Sequence, residues 1–419
     1  MRRLLRAASL VIVPVLLIAG CNSATTDKND KGGSAGALAS DEPIKIGGVV
    51  SKTSTTGASK GDADLGAKAR FMMANDEGGI NGRKVDYIGA EDDGQDPGRT
   101  TTAVRKLVQQ EHVFAVVPVN TVVFSGAGEF LNTNKTPYIG WGTGPAYCDK
   151  EYGIGYNGCL TPAPGGVIPT TWAEALVPLV GGSAQGKTVA LVAQDSDSAK
   201  IGLSMYAQVF PHAGFTVSYA KATVPSTTPP TDWSPWVGEI MKSNNGNPPD
   251  IIAPMIATPT NINLIGSLRR AGFQGIITDS SGFAPQLLDQ PASREALQGV
   301  HFLSQDQPFE STVPGMVKFK EYIDKAKGSP VTDWNQSMMV GWNSADLFVE
   351  IAKKAGSDLS VASFQAAAAN FQDHSDLVGD RKFPQARTQS FGCGSLLQVK
   401  GDSYEISSPL KCYPTMPYK

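Results

Sequence analysis

The chain has few of the side chains that usually carry chemistry. Its only histidines, His112, His212, His301 and His374, are scattered, and none has a partner at motif spacing. Five cysteines occur without a Cys-x-x-Cys pair. Metal sites built on spaced Cys and His ligands are therefore missing, and neither a metal nor a cofactor is expected. The Asp92, Asp93 and Asp96 run lacks the spacing and the final Glu of a calcium loop, so it reads as a solvated turn. Charged residues make up 18% of the sequence, and no basic cluster occurs in its body, which argues against a nucleic-acid partner. Gly153-Ile154-Gly155-Tyr156-Asn157-Gly158 spells G-x-G-x-x-G, but prolines follow it where a dinucleotide site needs a helix. A stapled turn is expected there, and no enzyme activity is expected of the chain.

The amino end reads as a leader. Arg2, Arg3 and Arg6 precede an apolar run over 10–18 that Pro14 breaks, too short to span a bilayer. Ile18-Ala19-Gly20-Cys21 resembles a bacterial lipobox. The resemblance implies cleavage before Cys21 and a diacylglyceryl thioether on its sulfur, with the acyl chains as membrane anchor. Residues 1–20 are then a lipoprotein signal peptide. Residues 21–42 are the lipidated cysteine and a tether rich in Ser, Gly, Asp and Lys, expected to be disordered.

Removing Cys21 leaves Cys148, Cys159, Cys393 and Cys412. An even count in an exported chain suggests disulfides, with three pairings possible. Cys148 with Cys159 and Cys393 with Cys412 is preferred, since each pair closes a short loop.

What is abundant is glycine, 45 residues, in a chain whose apolar runs alternate with helical patterns. Strands are expected at 44–50, 84–88 and 113–117, with helices at 62–75 and 100–111. A second alternation covers strands at 188–192, 216–219, 250–254 and 275–278, with helices at 199–212, 232–243 and 260–271. Helices follow at 314–327, 344–354 and 361–371, and a hairpin at 390–413 turns at Lys400-Gly401-Asp402. Such alternation argues an α/β architecture with doubly wound parallel sheets. The run 159–169 reads as a crossover between two units. Ligands in such sheets sit at the carboxyl ends of strands. Two glycine-rich stretches occupy such places: 118–128, with Thr121 and Val122, and 139–145, with Trp141, Gly142 and Thr143. Their hydroxyls and backbone N–H groups could meet a small molecule. Trp141 could stack on a flat ligand or simply pack as core beside the strand end. Lys200 could meet an anion or be solvated, and Trp342 reads as core.

Several pieces together resemble the type I periplasmic substrate-binding proteins of ABC importers, in the branch of leucine/isoleucine/valine and amide receptors. They are Ile44-Lys45-Ile46-Gly47, Asn75-Asp76-Glu77-Gly78-Gly79-Ile80-Asn81-Gly82-Arg83-Lys84-Val85, and Glu91-Asp92-Asp93 with Asp96-Pro97. Thr136-Pro137-Tyr138-Ile139, Thr231-Asp232-Trp233-Ser234 and Arg269-Arg270-Ala271-Gly272-Phe273 complete them. The likeness runs from about Pro43 to the tail. It implies two lobes joined by three crossing strands, a type I periplasmic binding protein fold. The first lobe would be 43–160 plus 306–386 and the second 161–305 plus 387–419, with Cys393–Cys412 pinning the returning hairpin to the second.

The resemblance also implies a site. A carboxylate would be held at Thr121, Val122, Gly142 and Thr143. The second-lobe acid that pairs with an ammonium in amino-acid binders aligns with Ser281, with Asp279 nearby as a substitute. Aromatic positions of those binders align with Ser59 and Ala257. Amino acids, amides and aromatic or short-chain acids are thus the expected ligands. The expected partners are that solute, an ABC permease and the membrane through Cys21, and a monomer is expected. A sensory receptor on the same fold, feeding a signalling partner, is the alternative.

Overall fold

The structure, a computed structural model, describes residues 42–53, 60–226, 228–280 and 283–419, with only the backbone of Asp197, Ser198 and Pro259. The expected signal peptide, Cys21, most of the tether, Ser59 and Ser281 lie outside the described residues.

The first alternation runs β1 (Ile44–Val50), α1 (Asp62–Asp76), β2 (Val85–Asp92), α2 (Pro97–Gln109), β3 (Ala115–Asn120), α3 (Ser125–Thr133), β4 (Tyr138–Gly140) and β5 (Gly153–Gly155). Its strands form a parallel sheet in the order β2-β1-β3-β4-β5. The second runs β6 (Val167–Pro169), α4 (Thr171–Leu176), β7 (Thr188–Gln194), α5 (Asp197–His212), β8 (Thr216–Val224), α6 (Ser234–Ile240) and β9 (Ile251–Met255). It continues through α7 (Thr258–Arg270), β10 (Ile276–Asp279), α8 (Pro291–Leu297) and β11 (His301–Ser304). Then come α9 (Pro314–Lys327), α10 (Gln336–Ala355), α11 (Val361–Ala369), the ribbon β12 (Gln372–Ser375) with β13 (Gly379–Lys382), β14 (Cys393–Lys400), β15 (Ser403–Cys412) and β16 (Thr415–Pro417). The second sheet has the order β15-β14-β11-β10-β9-β7-β8, parallel but for the β14–β15 hairpin. β16 pairs with β6. The chain thus makes two α/β lobes and crosses between them after β5, after β11 and after β13.

Local chemistry explains the boundaries. Asp96 caps α2 by accepting from Arg99 N–H at 2.8 Å, and Ser360 and Ser363 form a capping box on α11. Gly328 ends α9 in the left-handed conformation. α1 and α10 cross at backbone contact. A Cβ on Gly66 would lie 2.0 Å from Met338 O, and one on Gly341 1.9 Å from Ala63 O. That crossing returns α10 to the first sheet, so residues late in the chain complete the first lobe.

The structure differs from the sequence reading at several points. β3 continues through Pro118 to Asn120, because the ladder shifts register at Val116/Val119 and Gly47/Val49 and no N–H is needed there. α10 begins at Gln336, eight residues before the expected start, over a stretch buried almost all round. Gly153–Gly155 of the G-x-G-x-x-G run is an edge strand, and only the rest is a turn, closed by Gly158 N–H on Gly155 O. The aspartate turn is not solvated at Asp93. This fully buried carboxylate accepts from Ser51 Oγ at 2.8 Å, Gln95 N–H at 2.8 Å and Thr100 Oγ1 at 3.0 Å, tying the ends of β1 and β2. The disulfides are Cys148–Cys159 and Cys393–Cys412. Cys393 and Cys412 are direct partners in the β14–β15 ladder, so this bridge staples the hairpin to itself. What joins the hairpin to its sheet is the β11–β14 ladder.

Candidate functional site

β4 ends at Gly140, and the chain turns through Trp141, Gly142, Thr143 and Gly144 at the carboxyl edge of the first sheet. A cavity of about 160 Å³ opens beside this turn, where the first lobe, the crossovers and α5 meet. Trp141, Thr143 and Asn157 wall it from the first lobe, and Met205 and Tyr206 from α5. Trp172, Gln305, Ser390 and Phe391 come from the crossover segments and α4. Among the described residues none that lines it carries a charge at neutral pH; burial pushes the Tyr206 phenol up to about 12.

A hydrogen-bond relay fixes one wall. Asn157 Oδ1 accepts from Gly142 N–H at 3.0 Å, Asn157 Nδ2 donates to Gln305 Oε1 at 2.8 Å, and Trp141 Nε1 donates to the same oxygen at 3.1 Å. Gly142 must be glycine, since a Cβ there would lie 1.8 Å from Gly158 O. Opposite, Trp172 donates to Thr278 Oγ1 at 3.0 Å, and its ring meets Tyr206 edge-on at 4.7 Å. Both tryptophans are therefore held in orientation before any ligand arrives, which lowers the cost of binding.

Behind this wall the crossovers meet at Asp306. Its buried carboxyl accepts from Asn343 Nδ2 at 3.0 Å and Tyr156 Oη at 3.4 Å, while its backbone oxygen accepts from Ser395 Oγ at 3.1 Å. Burial pushes the Asp306 carboxyl up to about 7, against the pull of its two hydrogen bonds.

Of the residues expected at the site, Trp141 and Thr143 line the cavity, and Gly142 backs it through Asn157. Thr121, Val122 and Ala257 do not line it. Thr121 is buried at the end of β3, its hydroxyl accepting from Val123 N–H at 3.4 Å. Val122 is 60% exposed. Ala257 precedes α7, its N–H donating to Gln194 Oε1 at 3.0 Å. Thr143 N–H donates to Trp141 O at 2.7 Å. With Gly142 N–H given to Asn157, both backbone donors expected to hold a carboxylate have partners inside the protein. Asp279 is buried and accepts from Asn261 Nδ2 at 2.6 Å, away from the cavity. Lys200 Nζ lies 2.5 Å from Asp195. Trp342 is core, edge-on to Phe319 at 5.4 Å.

Sequence reasoning missed Asn157, Gln305, Trp172 and Tyr206. Asn157 sat inside the discounted G-x-G-x-x-G run, and Gln305 follows β11, a four-residue strand without a clear pattern. Ser218-Tyr219-Ala220-Lys221 and Ser408-Pro409-Leu410-Lys411 read Ser-x-x-Lys but lie along β8 and β15, extended strands in which residues three apart are not side by side as they are on a helix. Gly32-Gly33-Ser34-Ala35-Gly36 and Gly57-Ala58-Ser59-Lys60-Gly61 read Gly-x-Ser-x-Gly, and their serines lie outside the described residues. Among the described residues no group of three or more His, Cys, Asp or Glu is placed to hold a metal ion. No helix among them is long and apolar enough to cross a membrane.

Two doubly wound lobes, three crossovers and an uncharged cavity where they meet define a binding protein for a small molecule. A family model described as periplasmic binding protein matches residues 43–403, and the chain belongs to that family. The family is made up of substrate-binding proteins, which are extracytoplasmic. Solved structures share the fold at low identity. A fatty acid ABC transporter substrate-binding protein from Thermomonospora curvata is 17% identical, with TM-score 0.70, covering 90% of this chain and 94% of that one. A leucine-binding protein from Thermotoga maritima is 17% identical, with TM-score 0.67 and coverage of 88% and 99%. A solute-binding protein from R. palustris in complex with 4-hydroxybenzoate is 15% identical, with TM-score 0.68 and coverage of 89% and 98%. No curated protein sequence matches the chain.

Proposed function

We propose that the chain is a receptor that captures a small solute between its lobes and hands it to an ABC permease, without chemical change. The observation that carries this is the cavity bounded by Trp141 and Thr143 of one lobe and Tyr206 of the other. The lobes are proposed as 43–160 plus 306–386 and 161–305 plus 387–419, a division supported by the membership of the two sheets. Closure would follow from hinge rotation at the crossovers. Trp141, Gly142 and Thr143 form the proposed first-lobe side of the site. Val122, Ala257, Ser59 and Ser281 would join it only when the lobes close further over a ligand, while Thr121, its hydroxyl turned to Val123 N–H, would stay outside it. The relatives' fatty-acid, leucine and hydroxybenzoate ligands bound the range to be searched.

The same reading anchors the mature chain through lipid on Cys21, as a monomer outside the cytoplasm. Mass spectrometry of the protein purified from its membrane should find a diacylglyceryl adduct on Cys21, and Cys21→Ser should release the protein. The receptor itself is tested by native mass spectrometry of the purified chain and by thermal melting with amino acids, amides and aromatic and short-chain acids. A retained or stabilising small molecule is the expected result: at 100 times its dissociation constant a ligand stabilises by about 2.7 kcal/mol. Absence of any retained mass and any shift would overturn the reading.

A further inference from the structure

The donors and acceptors left over on the cavity wall define what can bind there. Gly142 N–H and Trp141 Nε1–H can only donate. Asn157 must therefore turn its oxygen to Gly142, which turns its amide nitrogen to Gln305. Gln305 must in turn present its oxygen to both Asn157 and Trp141. An amide oxygen has two lone pairs, and both are now used. What Gln305 retains for a ligand is its NH₂ group, two donors. Thr171 has already given its hydroxyl proton to Gly392 O at 2.7 Å, whereas the Thr161 and Ser390 hydroxyls accept from Gly144 N–H at 2.8 Å and Gly392 N–H at 3.0 Å and, with Thr143, add protons a ligand acceptor can take. The relay thus offers a ligand donors from the Gln305 amide, supplemented by the second N–H of Asn157.

The other properties of the cavity narrow the class. None of the lining side chains among the described residues is cationic, and the N–H groups of Gly142 and Thr143 are engaged. A buried carboxylate needs pairing and several donors to offset its desolvation, whereas a neutral carbonyl needs only one or two. No acid lines the space to pair with an ammonium. The volume, about 160 Å³, is close to that of an apolar cavity of about 150 Å³ known to hold a single benzene ring. Trp141, Trp172, Tyr206 and Phe391 supply aromatic walls.

We infer that the cavity selects an uncharged single-ring compound whose carbonyl or ring acceptor takes the free donors of Gln305. This rests on the receptor reading above and narrows its ligand. Zwitterionic amino acids and ionised aromatic acids are selected against, the first by the lack of an acid and the second by the lack of a cation.

Calorimetry at pH 7 with 2-pyridone and benzamide, against benzoate and L-leucine, tests it. The neutral ring compounds should bind at least tenfold more tightly than either charged probe. Gln305→Glu keeps oxygen acceptors for Trp141 and Asn157 but removes the donors, and should weaken ring-carbonyl binding at least tenfold. Should that variant fail to fold, Tyr206→Leu, which removes one ring and keeps an apolar wall, should lose the same binding. Tighter binding of benzoate or leucine would overturn the inference while leaving the receptor intact. So would unchanged affinity in the folded Gln305→Glu variant, or a failure of both neutral rings to bind while native mass spectrometry still finds a retained solute. If no probe binds and no solute is retained, the receptor reading falls with it.

Discussion

Asn343 Nδ2, on α10 of the first lobe, donates at 3.0 Å to the buried carboxyl of Asp306, on the segment that leaves the second lobe. Burial holds that carboxyl's pKa at about 7, well above its unfolded range. The folded state therefore favours the protonated form. Its contribution to stability is complete below about pH 4 and is lost as pH rises through 7. Between pH 5 and 8 the loss is on the order of 2–3 kcal/mol, at about 1.4 kcal/mol per pKa unit. Tyr156 is the titratable partner, and its phenol is itself pushed well above its usual range by burial and then by Asp306. Asp306→Asn keeps the shape and cannot ionise. Melting temperatures should show the variant gaining on the parent from pH 5 to about pH 7 and levelling off above it. Parallel pH profiles would show that Asp306 is ionised at modest cost.

Gly142 and Gly126 should respond oppositely to alanine. At Gly142 the new Cβ meets Gly158 O at 1.8 Å, so the turn must move and the Asn157 bond with it. Gly126 lies in the first turn of α3, and nothing stands within 4 Å of a Cβ there. Alanine at 126 should stabilise by up to about 1 kcal/mol through helix propensity. Alanine at 142 should lower the melting temperature and abolish ligand binding. A stable Gly142→Ala protein would mean that the β4 turn is more yielding than its contacts indicate.

The alternation of strands and helices was legible because each element is short, periodic and punctuated by glycine. α10 was half-hidden for the opposite reason. Its first half, through Met338, Met339, Trp342 and Asn343, is buried on nearly every side, so no amphipathic period marks it. Of the site, the sequence showed what one strand end carries, Trp141 and Thr143. Asn157 and Gln305 lie 148 residues apart, and only the fold brings them together. Nothing local in either stretch marks an amide relay. The backbone donors of Gly142 and Thr143 looked available because a sequence does not record which N–H groups are already satisfied.

Asp346 should be among the costliest residues to remove. Arg70 Nε lies 2.7 Å from one of its oxygens and Arg381 Nη1 2.9 Å from the other, and both guanidinium groups are buried. Burial alone would raise the Asp346 pKa, but the two arginines outweigh it and hold it below the usual range. Asp346→Ala would leave Arg70 with Glu350 alone and Arg381 with Asp373 alone, each buried guanidinium having lost one of its two carboxylates. Breaking one side of a buried network costs about 3–5 kcal/mol. Urea unfolding should show a loss of that size, with the second lobe's ladder unaffected by hydrogen exchange at low urea. A loss under about 1 kcal/mol would mean that water reaches the arginines.

Thr143 and Thr121 separate two placements of the ligand. Thr143 lines the cavity, whereas the Thr121 hydroxyl is turned to Val123 N–H. If the solute sits beside Trp141, Thr143→Ala should weaken it by about 1 kcal/mol, the net worth of one hydrogen bond, with little change in melting temperature. Thr121→Ala should do the reverse, lowering stability by about 1 kcal/mol because an N–H loses its acceptor, and leaving affinity unchanged. The family resemblance makes both threonines carboxylate ligands, which predicts losses of affinity in both variants and a larger loss in the double. Calorimetry on the three variants, with each melted alone, decides between them. Loss of affinity only in Thr121→Ala would move the site to the end of β3 and leave the cavity beside Trp141 without a ligand.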